Sequence, residues 1–570
     1  MSAADTGPLF AFLRAQKYWR GPIITPPAES IRRYQFFPQY YEPDAKPSMV
    51  AHMSPLLNET YAPDRCYGND RQAVEGRVES VKPVNLRMTS FISTCMNEFI
   101  ELCFFEDRFS LLPMDSDRVY ENQPRKGQQD NLDRAGVMGD YPNRLVKTFV
   151  KREHYEEAKD PRVISTINPV DKLAYSKWTY ALSKVASRIA FYGAKKPSLV
   201  AARICEFLAD KKFALMTDLS RYDGRQSEIL REFERRVWAY VAHKDARDSI
   251  LRLHKTQYSN RAVSTYGVKY ETGDSRLSGS PETSLLNTLC NAFMTYVAHR
   301  THDRSASKEL AFSRIGIACG DDGLTADLPA TVYNKVVQWF GHSGKAWPVA
   351  RGKRGVEFLA RRYGPGVWNN NPNSMCQLRR TLRGLHVSVS LTGVTPLMRA
   401  QAKCYAYCLT DVHTPIIGPF VREFMLKTDL EKLRQKLKNN EVFARSVSYN
   451  LMKYDRTDQY PNFYEEWMEE EAQDQCPGWN RDLLETFLQN AKSPEDFLHC
   501  PEIVPSQPSP VFIDVVIDGE APGSLKSVPK RHLPRKELTA KSSSWRSSQQ
   551  RNKTRTKVKS EKTTPILANI

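Results

Sequence analysis

The sequence predicts an α+β fold, on three observations. Short apolar runs of strand length end in acids, as in FALMTD (213–218) and RIGIACGDDG (314–323). Longer stretches carry a helical repeat: SFISTCMNEFIELCFF (90–105), KLAYSKWTYALSKVASRIAFYG (172–193) and ETSLLNTLCNAFMTYVAHR (282–300). Beyond about Thr395 the character becomes helical throughout, in LMRAQAKCYAYCL and then TDLEKLRQKLKNN, where Thr428-Asp429 supplies an N-cap.

Taken in order, residues 1–140 mix short apolar pieces with prolines and charges, and only 90–105 stands out, as a buried helix. The stretch 141–166 reads as two strands around the charged loop KREHYEEAKDPR. A helix (172–193), a short buried strand (213–218) and a Gly/Ser-rich loop leading into the helix 282–300 follow. RIGIACGDDGLTADL reads as strand, turn, strand, with Asp-Gly as the hairpin signal, and TVYNKVVQWFGHSGK (331–345) as a helix with glycines at its end. VEFLARRYG (356–364) is another hairpin piece, and the acidic EEWMEEEAQDQ (465–475) a solvated helix face. After His499 the chain turns rich in Pro, Ser, Lys and Arg, and from about Gly519 it lacks the apolar content for a core, so a disordered tail is expected.

The formal net charge of +18 suggests a polyanionic partner, yet residues 521–570 alone hold 13 Lys/Arg against 2 Glu. A nucleic-acid-binding body must therefore be argued from particular residues. Eleven irregularly spaced cysteines without a Cys-x-x-Cys pair argue against a zinc site and fit a reduced, intracellular chain. Neither a signal peptide nor a stretch approaching the ~20 apolar residues of a membrane span is visible.

The chemistry gathers around acids. Asp218 ends one strand and Asp223 lies five residues on; Asp321 and Asp322 stand together in the later hairpin. Alone, either pair is an ordinary turn. Together, carboxylates on the tips of two strands supply what two hard cations ~3.5–4 Å apart require for phosphoryl transfer. Between them, RLSGSPETSLLNT places Thr283 and Asn287 on one helix face behind a flexible loop, although a Ser/Thr-capped helix start with a buried polar pair explains it equally well. Upstream, Lys151, Arg152, Lys159 and Arg162 could line an entry path for a triphosphate.

Cationic loop, D-x4-D, SG-x3-T-x3-N, GDD, helix-then-Lys and FLARRYG follow one another along residues 141–365. This order resembles motifs F, A, B, C, D and E of viral RNA-dependent RNA polymerases. TDLSRYDGR, RLSGSPETSLLNT and CGDDG look most like positive-strand RNA viruses, and among those the nodavirus and nodavirus-like replicases. The resemblance implies a right-hand architecture of fingers, palm and thumb, with an antiparallel palm sheet packed on helices. Residues 1–140 would be an N-terminal extension and part of the fingers, 141–212 fingers with motif F, 213–365 palm with an inserted fingers segment, 366–500 a mostly helical thumb and 501–570 a disordered basic tail.

The resemblance further implies that Asp218 and Asp321, supported by Asp322, hold two Mg²⁺ ions, which Mn²⁺ can replace. Asp223 and Asn287 would sense the ribose 2′-hydroxyl, with Ser278, Gly279 and Thr283 positioning template and nucleotide. Lys151, Arg152, Lys159 and Arg162 would bind the triphosphate, and Lys345 would give a proton to pyrophosphate, with Lys353 as a competitor. The implied partners are RNA template and product, NTPs, and other viral replication proteins. Nodavirus-type replicases carry a membrane anchor and a capping-like domain ahead of the polymerase, and about 140 residues precede motif F here. Those functions would then sit on another chain or on another part of a larger protein, and the enzyme would work in the host cytoplasm in a membrane-associated complex recruited through a partner. AGVMGDYPNR (135–144) is the one candidate for motif G. A reverse transcriptase is the nearest rival, but such enzymes carry an aromatic residue where this chain has Asp223; the other rival is an idle RNA-binding scaffold.

Overall fold

The strand Phe213–Leu219 is an inner strand of its sheet, and its residues alternate between two cores. Ala214 and Met216 face one hydrophobic cluster, Leu215 and Leu219 the other. Period-two alternation with both faces covered explains why FALM is continuously apolar. The computed structural model describes residues 30–123, 126–137, 144–390, 393–439, 458–507 and 514–520. All of these belong to one compact unit, Met1–Pro522; a second unit, Gly523–Ile570, lies outside the described residues.

The central sheet has four strands in the order Ile317–Cys319, Asp322–Ala326, Phe213–Leu219, Gly344–Ala350. Every neighbouring pair is antiparallel. On one face lies the helix Thr283–His302, buried along most of its length, with Ser90–Phe104, Glu228–Val241 and Ala330–Gln338 around it. Phe233 and Phe293 stack there with ring centres 4.5 Å apart. The helix Pro197–Leu208 and a three-stranded sheet (Val356–Phe358, Arg361–Tyr363, Ser374–Cys376) cover the other face.

A second four-stranded sheet orders Val163–Thr166, Val146–Val150, Arg261–Ser264 and Lys269–Glu271, with Val146–Val150 and Arg261–Ser264 parallel. The C-terminal part is helical: Pro396–Thr410, Ile417–Leu426, Leu430–Asn439, Trp467–Gln475 and Arg481–Asn490, around Phe420, Phe424 and Phe497. Asp429 caps Leu430–Asn439, its Oδ1 accepting from the Lys432 amide at 2.9 Å.

Several expectations shift. The helix expected over 172–193 runs from Pro169 to Ala186, started by Asn168, whose Oδ1 accepts from the Asp171 amide at 2.8 Å, and by Pro169 in its first turn. The helix expected over 331–345 ends at Gln338, and Lys345 belongs instead to the edge strand Gly344–Ala350, an edge position that tolerates Pro348. The hairpin turn is Gly320-Asp321, one register before Asp322-Gly323: Cys319 pairs with Asp322, and Gly320 adopts φ +64°, which a two-residue turn of this kind needs.

EEWMEEEAQDQ is more than a solvated face: Met468 and Ala472 are buried, and Glu470, Glu471 and Asp474 together grip Arg354. The structureless tail does not begin at 501. Val515–Ile517 pairs antiparallel with Arg32–Phe36, and Val504 is buried beside Leu57. VFIDVVI is β-branched and apolar, a local strand signal inside a Pro/Ser-rich surround. The rest of the tail, from 521, and residues 138–143 of AGVMGDYPNR lie outside the described residues.

Candidate active site

Three chain segments meet at the end of the central sheet. The first is the strand Phe213–Leu219, which delivers Asp218 and runs on into a turn. Its Ser220 amide donates to the Ser343 carbonyl at 3.0 Å, and a single helical turn, Tyr222–Arg225, then carries Asp223. The second is the hairpin 317–326, with Asp321 at its tip and Asp322 opening the return strand beside Asp218. The third is the helix Thr283–His302, which holds that hairpin. Thr288 Oγ1 accepts from the Gly320 amide at 2.9 Å, and Asn291 Nδ2 donates to the carbonyls of Gly320 and Asp322 at 3.1 Å each. Sequence reasoning passed over Thr288 and Asn291; their signal was polarity on a helix otherwise buried in apolar surroundings.

Asp218, Asp321 and Asp322 line a cavity of about 1040 Å³, together with Asp223, Asn287, Ser278, Thr283, Lys159, Arg162 and Lys345. Among the described residues, no hydrogen-bond donor or cation bonds the side chains of Asp218, Asp321 or Asp322. Burial pushes the Asp322 carboxyl up to about 7, with Asp321 and Asp218 adding repulsion. Asp218 is raised for the same reasons, burial first and Asp321 second, against an opposing pull from Lys345. Asp218 and Asp322, which burial and repulsion from Asp321 disfavour as anions, are oxygen donors of the kind a hard divalent cation fits. Lys345 pairs in register with Asp218 on the neighbouring strand; Lys353 is not among the cavity-lining residues.

Asp223 is half-buried, and its desolvation raises its carboxyl, while a bond from Asn287 Nδ2 to its Oδ1 (2.9 Å) favours the anion. Ser278 and Gly279 stitch the loop onto the strand Val163–Thr166. Ser278 Oγ accepts from the Ser165 amide at 3.0 Å and donates to the Val163 carbonyl at 3.1 Å. The Gly279 amide donates to the Ser165 carbonyl at 2.9 Å, so close an approach that a Cβ would strike that oxygen. Gly279 is thus a backbone contact and not part of the cavity wall. Thr283 Oγ1 donates to the Leu277 and Ser280 carbonyls at 3.0 and 2.9 Å, closing the turn before its own helix.

The four cations of the charged loop separate. Lys159 and Arg162 reach the cavity, whereas Lys151 and Arg152 do not line it. Lys151 is drawn to Glu153 at 3.1 Å, and its amide extends the strand ladder to the Arg162 carbonyl at 2.8 Å. Arg152 is exposed, near Arg65. Arg162 forks onto Glu153, and Lys159 pairs with Glu156 at 2.7 Å. Burial alone would raise Glu153, but the Arg162 guanidinium and Lys151 hold it down at about 2.

A second acidic group needs separating from the first. Glu234, His254 and Glu282 form, among the described residues, the one trio whose ligand atoms all lie within 4.8 Å of one another. Both carboxylates are fully buried and already paired with Arg231 and Arg276. Two guanidinium groups occupy the space that a metal would need, so this is an ion-pair core.

Residues 186–363 match a family model described as viral RNA-dependent RNA polymerase. The chain is 28% identical over 426 residues to an RNA-directed RNA polymerase of Atlantic halibut nervous necrosis virus, covering 72% of this chain and 42% of that protein. It is 29% identical over 369 residues to that of Pariacoto virus (63% and 37%) and 30% identical over 297 residues to that of Nodamura virus, strain Mag115 (49% and 27%). The chain thus spans well under half the length of these curated relatives. Among solved structures, an RNA-dependent RNA polymerase of a human picobirnavirus with its insertion loop deleted is similar with a TM-score of 0.49 and 13% identity, over 67% of this chain and 79% of that one.

Proposed function

We propose that this chain, a nodavirus-like member of the viral RNA-dependent RNA polymerase family, copies an RNA template by transferring nucleotides from NTPs to the 3′-hydroxyl of the growing strand. The observation that carries the reading is the trio Asp218, Asp321 and Asp322, on adjacent strand ends in one cavity, with no ion pair to a protein cation among the described residues. These residues would hold two Mg²⁺ ions, or Mn²⁺, which when bound neutralise the triphosphate and the attacking oxygen. The remaining work falls to the chain's own groups. Arg162 and Lys159 face the same cavity and offer donors to the β- and γ-phosphates once they exchange Glu153 and Glu156 for substrate. Asp223 and Asn287 meet the ribose, Ser278, Gly279 and Thr283 help to position template and nucleotide, and Lys345, one strand from Asp218, gives a proton to departing pyrophosphate. Positioning and charge neutralisation provide most of the catalysis in such a transfer.

By the same reading 213–365 is the palm with an inserted fingers segment, 366–500 the thumb, 141–212 the fingers, and 1–140 an N-terminal extension with part of the fingers. RNA template and product, NTPs and further viral replication proteins are the partners, and a partner brings the enzyme to membranes in the host cytoplasm. Among the described residues no helix is long and apolar enough to cross a membrane. The test is nucleotide incorporation on an RNA template with Mg²⁺. Wild type is expected to extend RNA and Asp321→Ala to be inactive; equal activity in the two would sink the assignment of the site.

A further inference from the structure

The buried ion-pair core meets the cavity through Arg276 and the Asn287 amide it holds. The Arg276 guanidinium, fully buried, divides its donors among three acceptors: Nη2 to Glu234 Oε1, Nη1 to Glu282 Oε1 at 2.6 Å, and Nε to Asn287 Oδ1 at 2.9 Å. Asn287 in turn gives Nδ2 to Asp223 Oδ1 at 2.9 Å. Arginine can only donate and a carboxylate can only accept, so the two neighbours leave the amide one orientation, oxygen to the core and nitrogen to Asp223. The main chain repeats the link: the Arg276 amide donates to the Asp223 carbonyl at 2.8 Å, and Tyr222 Oη donates to the Asn287 carbonyl at 3.0 Å.

The anchor is itself held. Arg231 Nη1 bridges Glu234 (2.9 Å) and Glu282 (3.1 Å), its other nitrogens reach the carbonyls of Asp274 and Ser275, and Tyr175 Oη donates to Glu282. Arg276 therefore cannot rotate away without leaving buried carboxylates unpaired.

We infer that Arg276 is a positioning residue for sugar selection: by fixing the Asn287 amide with Nδ2 toward Asp223, it presents a set arrangement of one donor and one acceptor to the nucleotide's 2′-hydroxyl. Without the Arg276 donor on its oxygen, the amide keeps only the bond to Asp223 and can swing about it, so that arrangement loosens. The inference rests on the reading of Asp223 and Asn287 as the ribose-sensing pair. Lysine cannot replace arginine here. An ammonium at the end of a flexible stem offers its donors from a single point and has none at the Nε position.

The measurement is the ratio of kcat/KM for a ribonucleoside triphosphate to that for its 2′-deoxy analogue, using the full chain on an RNA template. In Arg276→Lys the ratio is expected to fall roughly tenfold, since a site built to bond a hydroxyl loses discrimination when its donors are misaligned. Arg231→Lys perturbs the same core without a bond to Asn287, and is expected to lower stability while keeping the ratio within about twofold. Asn287→Ala separates the two levels: an unchanged ratio there overturns the ribose-sensing reading. A ratio that falls in Asn287→Ala but stays at the wild-type value in Arg276→Lys overturns the inference alone. Adding Arg276→Lys to Asn287→Ala is expected to cost nothing more in selectivity; additive losses would mean that Arg276 acts by another route. Should Arg276→Lys not fold, Arg276→Met with Glu234→Gln removes one charge of each sign from the core and is judged against Glu234→Gln by the same ratio.

Discussion

Two groups of acids lie within this molecule, and they answer the same electrostatic problem in opposite ways. Glu234 and Glu282 are buried completely, and two arginines neutralise them; both carboxyls are held below their ordinary range, where burial alone would have raised them. Asp218, Asp321 and Asp322 face a cavity in which, among the described residues, no cation forms an ion pair with them, and Asp218 and Asp322 are raised instead. The first group is complete as folded and contributes rigidity. The second has no such pairing, and its repulsion is a standing cost that the surrounding fold must outweigh. Charge that the protein neutralises internally reads as structure, and charge left open in a cavity reads as function.

The largest expected effect sharpens this contrast. Asp218→Asn should lower the incorporation rate by about a thousandfold or more, yet its urea midpoint in EDTA should match or exceed that of wild type, because a repulsive charge is gone. A Mg²⁺-dependent rise in thermal midpoint should accompany wild type and shrink in the variant. A large loss of stability in EDTA would show that Asp218 is structural, and the contrast would collapse.

Next comes the reverse. Glu282→Ala leaves Arg231 and Arg276 buried with one partner fewer, and a loss of about 3–5 kcal/mol in urea unfolding is expected. A loss under about 1 kcal/mol would mean that this core, too, is dispensable for folding.

Asn291→Ala falls between the two groups, since it removes a donor that ties the hairpin to the core helix. A stability loss of about 1–2 kcal/mol is expected, with a roughly tenfold fall in kcat as the tip carrying Asp321 loosens. Unchanged kcat would show that the hairpin alone sets the geometry.

The smallest effect concerns Glu153. Its folded carboxyl sits at about 2, below its ordinary value. A depressed acid contributes stability above its unfolded value and loses it as the pH falls toward the folded one, so the window runs from roughly pH 4.5 down to pH 2. Urea unfolding at pH 5 and pH 3 should fall about 1 kcal/mol less steeply in Glu153→Gln than in wild type, the size allowed for a pair whose arginine is half exposed. Equal slopes would leave the Arg162–Glu153 fork without energetic weight.

The sequence by itself determined the local pieces and their chemistry. FALMTD, CGDDG and the segment from Ser278 to Asn287 announce strand, turn and helix through periodicity within ten residues or so, and each carries its acids or amides with it. The helix over 90–105 and the hairpin over 356–364 were legible for the same reason. Only the tertiary structure decided what lay beyond that range. Gly344–Ala350 is an edge strand, mostly exposed and interrupted by Pro348, so no period marks it, and its place beside Asp218 comes from a partner more than a hundred residues away. Val146–Val150 finds its parallel neighbour Arg261–Ser264 across a similar gap, and Val515–Ile517 reaches back to Arg32–Phe36 across nearly the whole chain. Nor could spacing reveal that Arg276, two residues before the loop's serine, points into an ionic core and sets an amide in the cavity. Periodicity is a property of neighbours along the chain, whereas pairing and charge balance belong to neighbours in space. The two aspartates in GDD are plain in the sequence, and only the fold shows that, among the described residues, no arginine forms an ion pair with them.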